Sequence, residues 1–61
     1  MSNITKLDLF AYSNAYEDFE EGTERYYAQW AIDEYGSACR DNSVKELIAI
    51  GKRLEQELSH E

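Results

Sequence analysis

The chain has no proline, one cysteine and one histidine among its 61 residues. A single cysteine excludes an intrachain disulfide. Cys39 and His60 together fall short of the roughly four ligands that a structural zinc site requires. No apolar run approaches the roughly 18 residues of a membrane span. The sequence therefore offers no disulfide, metal or membrane to stabilise the fold, and we expect no cofactor.

A secretory signal is also lacking. The chain begins MSNITKLDLF, without the basic segment and following apolar run that direct export. An unpaired cysteine is typical of a reducing compartment. We therefore expect a cytoplasmic protein that does not enter a membrane.

Basic residues are scarce, since six face thirteen acidic residues and the net charge is -7. Phosphate contacts require Lys and Arg, so we expect no direct binding to nucleic acid. Anionic lipid surfaces are disfavoured for the same reason. A basic protein partner would be steered toward this chain. The alternative interpretation is that the charge only keeps a small protein soluble.

Aromatic residues are abundant and confined to residues 10–35: five tyrosines, two phenylalanines and one tryptophan. The same stretch contains an acidic cluster, formed by Glu17, Asp18, Glu20, Glu21 and Glu24. A chain of this size buries only about 60% of its unfolded surface. Aromatic surface rimmed by acid therefore predicts a binding surface. Small domains without disulfides or metals often gain stability by association, so we expect a homodimer.

Apolar residues recur at helical spacing in three segments. This predicts one all-α domain over 1–61, made of three short helices joined by tight turns. The first helix is expected over 5–21, starting at Thr5-x-x-Asp8 and ending at Gly22. A short strand through Leu7 and Leu9 is the alternative, but no partner strand is evident.

The second helix is expected from Glu24, capped by Thr23, to Tyr35 or Cys39, because Gly36 leaves its end open. The third is expected over 44–58 behind the capping box Ser43-x-x-Glu46. Its apolar stripe consists of Val44, Leu47, Ile48, Gly51, Leu54 and Leu58. Gly51 costs about 1 kcal/mol in a helix. Either it lets another helix approach closely or it is tolerated without a role.

Two function classes are disfavoured by this pattern. Helix–turn–helix proteins also use three short helices, but the candidate recognition helix here has no excess of Arg or Lys. A chain this short can hardly enclose a core and a catalytic pocket together, so we expect no enzymatic activity.

The candidate partner-binding residues are Tyr26 and Trp30, which lie to one side of the main apolar face of the second helix. They are expected to be exposed anchors, because Trp and Tyr often dominate interface energy; core packing is the alternative for Trp30. Phe19, Tyr27 and Tyr35 are expected to be buried. The acidic residues of this stretch are expected to steer a basic partner toward the chain: Glu17, Asp18, Glu20 and Glu21.

Three features together resemble the small acidic helical accessory proteins of temperate, lambda-like phages: the polar start, the acidic aromatic middle and the last helix, SVKELIAIGKRLEQELSHE. The resemblance implies a protein that modulates a host protein by protein contacts in the host cytoplasm. Two alternatives stay open. One is a nucleic-acid mimic that inhibits a DNA-binding host protein, and the other is an antitoxin-like neutraliser of a basic partner.

Overall fold

The computed structural model describes residues 4–11 and 15–59. Within these ranges the chain forms three α-helices and no strand. The helices are α1 (Lys6–Ala11), α2 (Glu24–Tyr35) and α3 (Val44–Ser59), with two 3₁₀ helices at Tyr16–Asp18 and Gly36–Cys39. The predicted all-α class is therefore confirmed, and the alternative strand through Leu7 and Leu9 is wrong because both residues lie in α1.

The first helix begins where predicted and ends early. Thr5 Oγ1 accepts the Asp8 N–H at 3.1 Å, which caps α1. The helix expected over 5–21 is wrong, because Ala15 and Phe19 are extended, with ψ of 156° and 157°. The Tyr16 N–H donates to a side chain of α2 rather than to a helical carbonyl.

The connections between helices are longer than the expected tight turns, and each contains a 3₁₀ helix. Gly22 lies in a turn rather than at the end of a helix. Gly36 adopts φ +57° and ends α2 at Tyr35, a conformation that glycine takes without steric cost. The 3₁₀ helix to Cys39 then leads toward α3. Of the two ends expected for the second helix, Tyr35 and Cys39, the structure has Tyr35.

The start of α2 and the start of α3 both agree with the sequence. Thr23 Oγ1 accepts the Tyr26 N–H at 3.2 Å. Ser43 and Glu46 form the predicted reciprocal capping box, with N–H to side-chain distances of 2.8 and 3.2 Å. Each cap satisfies donors that the first helical turn leaves without intrahelical partners.

Helix α2 is the centre of the fold, and α1, both 3₁₀ helices and α3 pack against it. Gly51 of α3 is buried against the backbone of α2 at Tyr27. A Cβ at Gly51 would lie 2.6 Å from Tyr27 Cα, well inside van der Waals contact. Of the two interpretations left open for Gly51, the structure therefore supports the close approach of another helix.

The core is small and lies on both sides of α2. Its buried residues are Leu9, Ala28, Ala31, Cys39 and Leu47, flanked by Ile4, Ile32, Val44, Ile48 and Ile50. Gln29 is also fully buried, and its Nε2 donates to the Leu9 carbonyl at 3.4 Å, which ties α1 to α2. The expected burial of Tyr35 is wrong, since 49% of it is exposed.

Candidate functional site

A cavity of about 300 Å³ lies between the first 3₁₀ helix and the start of α2. We call it the acidic–aromatic cavity, and it is lined by Tyr16, Glu17, Phe19, Glu21 and Tyr26. Both glutamates are exposed, Tyr16 and Phe19 are half-buried, and Tyr26 is buried. The cavity thus combines an aromatic wall with two carboxylates at its rim.

The aromatic wall is held from behind by Trp30. The rings of Tyr16 and Trp30 stack with centroids 4.6 Å apart and planes 2° from parallel. Tyr26 meets both rings edge-on, at 5.3 and 5.7 Å. Such aromatic pairs contribute about 0.5–1.5 kcal/mol each beyond the area that they bury. Tyr16 and Tyr26, two of the three rings that line the cavity, are therefore held in place by packing with Trp30.

We call residues 16–23 the acidic segment, and hydrogen bonds hold it at both of its ends. The Tyr16 N–H donates to Asp33 Oδ2 at 2.7 Å, which attaches the 3₁₀ helix to α2. At the other end the Thr23 hydroxyl donates to the Glu20 carbonyl at 2.8 Å. Between them the Arg25 guanidinium lies over the Phe19 ring, 4.7 Å from its centroid.

Carboxylates lie close enough to the cavity to affect the two tyrosines that line it. Burial raises the pKa of Tyr26 above its ordinary value, and the Glu21 carboxylate raises it further. Burial likewise raises the pKa of Tyr16, followed by the charges of Glu17, Glu34 and Asp33. Carboxylates that disfavour a tyrosinate favour a cation in the same place. The cavity can therefore accept a positively charged group.

The predicted partner-binding residues separate into two sets. Glu17, Glu21 and Tyr26 line the cavity, whereas Asp18 and Glu20 are exposed in the same segment without lining it. The expected exposure of Tyr26 and Trp30 is wrong, because each is only 7% exposed. The 3₁₀ segment covers this side of α2 through the Tyr16 stack. Binding of a partner by these residues stays a prediction.

The sequence interpretation missed Tyr16 and Phe19 as members of the site. Both fall within the single first helix that the sequence predicts over 5–21. The available signal was the interleaving of aromatic and acidic residues in Tyr16-Glu17-Asp18-Phe19. That pattern fits a segment whose rings face α2 while its carboxylates face solvent.

A second concavity, the α2–α3 groove, measures about 410 Å³ and is lined by Tyr35, Ala38, Cys39, Asn42, Ile50, Arg53, Leu54 and Glu57. A smaller hollow of about 220 Å³ shares Leu54 and Glu57 with it. This hollow is completed by Trp30, Glu34 and Leu58. The groove and the hollow are therefore neighbours on α3, with Leu54 and Glu57 between them.

Cys39 is not a reactive group in this groove. It is 3% exposed, and its Sγ donates to the Gly36 carbonyl at 3.1 Å. Burial raises the pKa of the thiol, so the thiolate that acts as a nucleophile is disfavoured. Within residues 4–11 and 15–59, no group of three or more His, Cys, Asp or Glu side chains is arranged to hold a metal ion.

Across the described part of the chain, none of the helices has the length and apolar character to cross a membrane. Comparison with protein-family models, with curated proteins and with solved structures finds no match to this chain. The resemblance to phage accessory proteins therefore stays a prediction, and the two concave surfaces are the candidate binding sites of the described chain.

Proposed function

We propose that this chain is a non-enzymatic protein-interaction module that binds a basic segment of another protein at the acidic–aromatic cavity. The observation that carries the proposal is the cavity itself, in which fixed aromatic rings lie beside the carboxylates of Glu17 and Glu21. An aromatic face attracts a cation by about 0.5–2 kcal/mol, depending on how far the pair is desolvated. Adjacent carboxylates add ionic hydrogen bonds.

An arginine or lysine side chain is the ligand that suits this cavity. Its volume of about 300 Å³ is at the lower limit of small-molecule pockets and matches a single side chain better than a cofactor. Arginine combines stacking on a ring with paired hydrogen bonds to a carboxylate. The Arg25–Phe19 contact at 4.7 Å is an example of such stacking beside the cavity.

The exposed acids around the cavity have a different role in this proposal. Asp18, Glu20 and Glu24 flank the cavity lining in sequence and are exposed. Charges at the rim of an interface mainly accelerate association and select partners of opposite sign. They therefore steer the basic segment, whereas the cavity retains it.

The biological setting follows from the resemblance to phage accessory proteins. The partner would be a host protein met in the host cytoplasm, and an antitoxin-like role would use the same chemistry on a basic toxin. Association of two copies of the chain is also part of the proposal, because 61 residues give a domain little intrinsic stability.

The test is an NMR titration of the labelled chain with a short arginine-rich peptide, compared with a neutral peptide of equal length. Amide shifts are expected over residues 15–26, together with a shift of the Trp30 indole N–H. Shifts spread evenly over remote acids such as Asp41 and Glu46 would instead indicate charge attraction alone. That result would overturn the proposal that the cavity binds the basic segment, and it would favour the alternative of a nucleic-acid mimic.

A further inference from the structure

The apolar stripe of α3 is only partly covered by α2. Leu47 and Gly51 are buried, but Leu54 is half-buried and Leu58 is 60% exposed. Tyr35, at the end of α2, is 49% exposed and lines the α2–α3 groove, whereas Leu58 lines the neighbouring hollow. The groove and the hollow beside it therefore present apolar side chains to solvent along the half of α3 that ends the described chain.

The charge of α3 differs from that of the remaining chain. Its three basic residues, Lys45, Lys52 and Arg53, balance its three acidic residues, Glu46, Glu55 and Glu57. The whole net charge of -7 therefore lies outside α3. Two copies of the chain repel each other at their acidic segments, whereas two α3 helices meet without net repulsion.

The charged groups on the groove are also self-complementary. Arg53 and Glu57 line it together and form an exposed i,i+4 ion pair at 3.7 Å. In a twofold-symmetric contact each surface meets its own copy, so that residue i contacts residue j and j contacts i. The groove satisfies that requirement, since its charged lining residues are Arg53 and Glu57, and Glu34 lies in the neighbouring hollow.

From the uncovered stripe, its neutrality and its paired charges, we infer that the α2–α3 groove binds a second copy of this chain. The two α3 helices pack around a twofold axis, each Leu58 enters the groove of the neighbouring copy, and Arg53 faces Glu57 of the partner subunit. This inference depends on the self-association part of the proposed function and assigns it a surface.

The assigned surface leaves the proposed partner site available. Among the described residues, no side chain lines both the α2–α3 groove and the acidic–aromatic cavity. A dimer formed at the groove therefore carries two available cavities. Two linked sites bind a partner with repeated basic segments more tightly than one site does.

Sedimentation equilibrium of the full chain tests this inference, from about 1 µM to about 1 mM, a span of roughly three decades in dissociation constant. The wild type is expected to approach twice the 7.1 kDa chain mass at the upper end. Leu58→Glu should weaken association by roughly tenfold or more, because it places a charge in the contact. Its helicity at low concentration should be unchanged, since Leu58 is already exposed.

The matched control is Leu7→Glu, the same change at a leucine that is 79% exposed on α1, and it should dimerise like the wild type. Arg53→Glu should also weaken association, and adding Glu57→Arg should restore it. Unchanged dimerisation of Leu58→Glu would overturn the groove as the interface while self-association stands. A wild type that stays monomeric at all concentrations would overturn both the groove interface and self-association. Binding of a basic segment at the acidic–aromatic cavity is tested separately by the peptide titration.

Discussion

At the residue scale, Trp30 is covered by the Tyr16 ring that stacks on it. Trp30→Ala removes this buried ring, at a cost of about 3–5 kcal/mol, and the core of a domain this small rarely supplies more than about 3–5 kcal/mol. We expect a large loss of helical circular dichroism, whereas Trp30→Phe keeps most of it. If Trp30→Ala stayed helical and lost only its association, Trp30 would not be a core residue. Its interpretation as an exposed partner-binding anchor would then be the better one.

Gly51 gives a second test at this scale. Alanine is the better helix former by about 1 kcal/mol, but its methyl group would overlap the Tyr27 backbone. Overpacking of this kind costs about 1–3 kcal/mol or more, and backbone atoms yield less than side chains. Urea denaturation should therefore show that Gly51→Ala is less stable than the wild type.

The control for Gly51→Ala is Ala49→Gly, at an exposed position of the same helix. It measures helix propensity alone and should cost about 1 kcal/mol. A Gly51→Ala variant more stable than the wild type by a similar amount would mean that α2 and α3 do not approach as closely as the structure has them.

Gly51, Tyr26 and Trp30 show how much the sequence could predict about single positions. For Gly51 the sequence left two interpretations, because a glycine inside an apolar stripe either lets another helix approach or is tolerated without a role. Tyr26 and Trp30 were assigned to an exposed side because helical periodicity gives the direction of a side chain. It does not reveal whether a distant segment, here Tyr16–Asp18, covers that direction.

At the scale of elements, helix starts were predictable because caps are local. The caps at Thr5, Thr23 and Ser43 connect residues three apart in sequence. The interruption after α1 was not predictable in the same way. The Tyr16 N–H bonds to Asp33 Oδ2, a residue of another element, and that partner is known only once the chain has folded.

Thr23 joins two elements and provides a prediction at this scale. Its hydroxyl accepts from the Tyr26 N–H and donates to the Glu20 carbonyl. Thr23→Ala removes both hydrogen bonds and should cost about 1 kcal/mol through the lost cap. It should also speed amide hydrogen exchange in the acidic segment next to the cavity.

Thr23→Ser is the control, because it keeps the hydroxyl and should retain stability within a few tenths of a kcal/mol. If Thr23→Ala and Thr23→Ser exchanged amide hydrogens at the same rate, the hydroxyl would not be what holds the acidic segment on α2.

At the scale of the whole molecule, charge divides the surface into an acidic segment and a neutral α3. The net charge and the neutrality of α3 can be read from sequence, and so can the class of partner that acid favours. The cavity could not be predicted, since Tyr16 and Phe19 meet Tyr26 only when the 3₁₀ segment folds onto α2. The sequence therefore indicates a chemistry for the proposed site, whereas the position of that site depends on the fold.

The tyrosines together predict an alkaline limit to stability. Their ordinary pKa is 10.0, and in the folded chain the pKa is raised for Tyr16 and Tyr26 by burial. The pKa of Tyr27 is raised first by its hydrogen bond to Glu55, at 2.9 Å. A raised folded pKa gives stability that is fully present below pH 10 and is lost as pH rises through the folded values.

Urea midpoints measured across this alkaline range should therefore fall as pH rises above about 10. Glu55→Gln removes the carboxylate that accepts from Tyr27, so the pKa of Tyr27, followed by ultraviolet absorbance, should move back toward 10.0. Urea midpoints that stayed constant through the tyrosine titration would contradict the buried packing of these rings.

The most direct measurement compares the affinity of an arginine-rich peptide for Glu21→Gln and Glu20→Gln. Both variants lose one exposed carboxylate from the same segment, but only Glu21 lines the cavity. We predict that Glu21→Gln weakens binding by roughly tenfold, about 1.4 kcal/mol, and that Glu20→Gln weakens it by less than about twofold. Equal losses that vanish together at high salt, where exposed charges are screened, would contradict the cavity and leave only attraction between net charges.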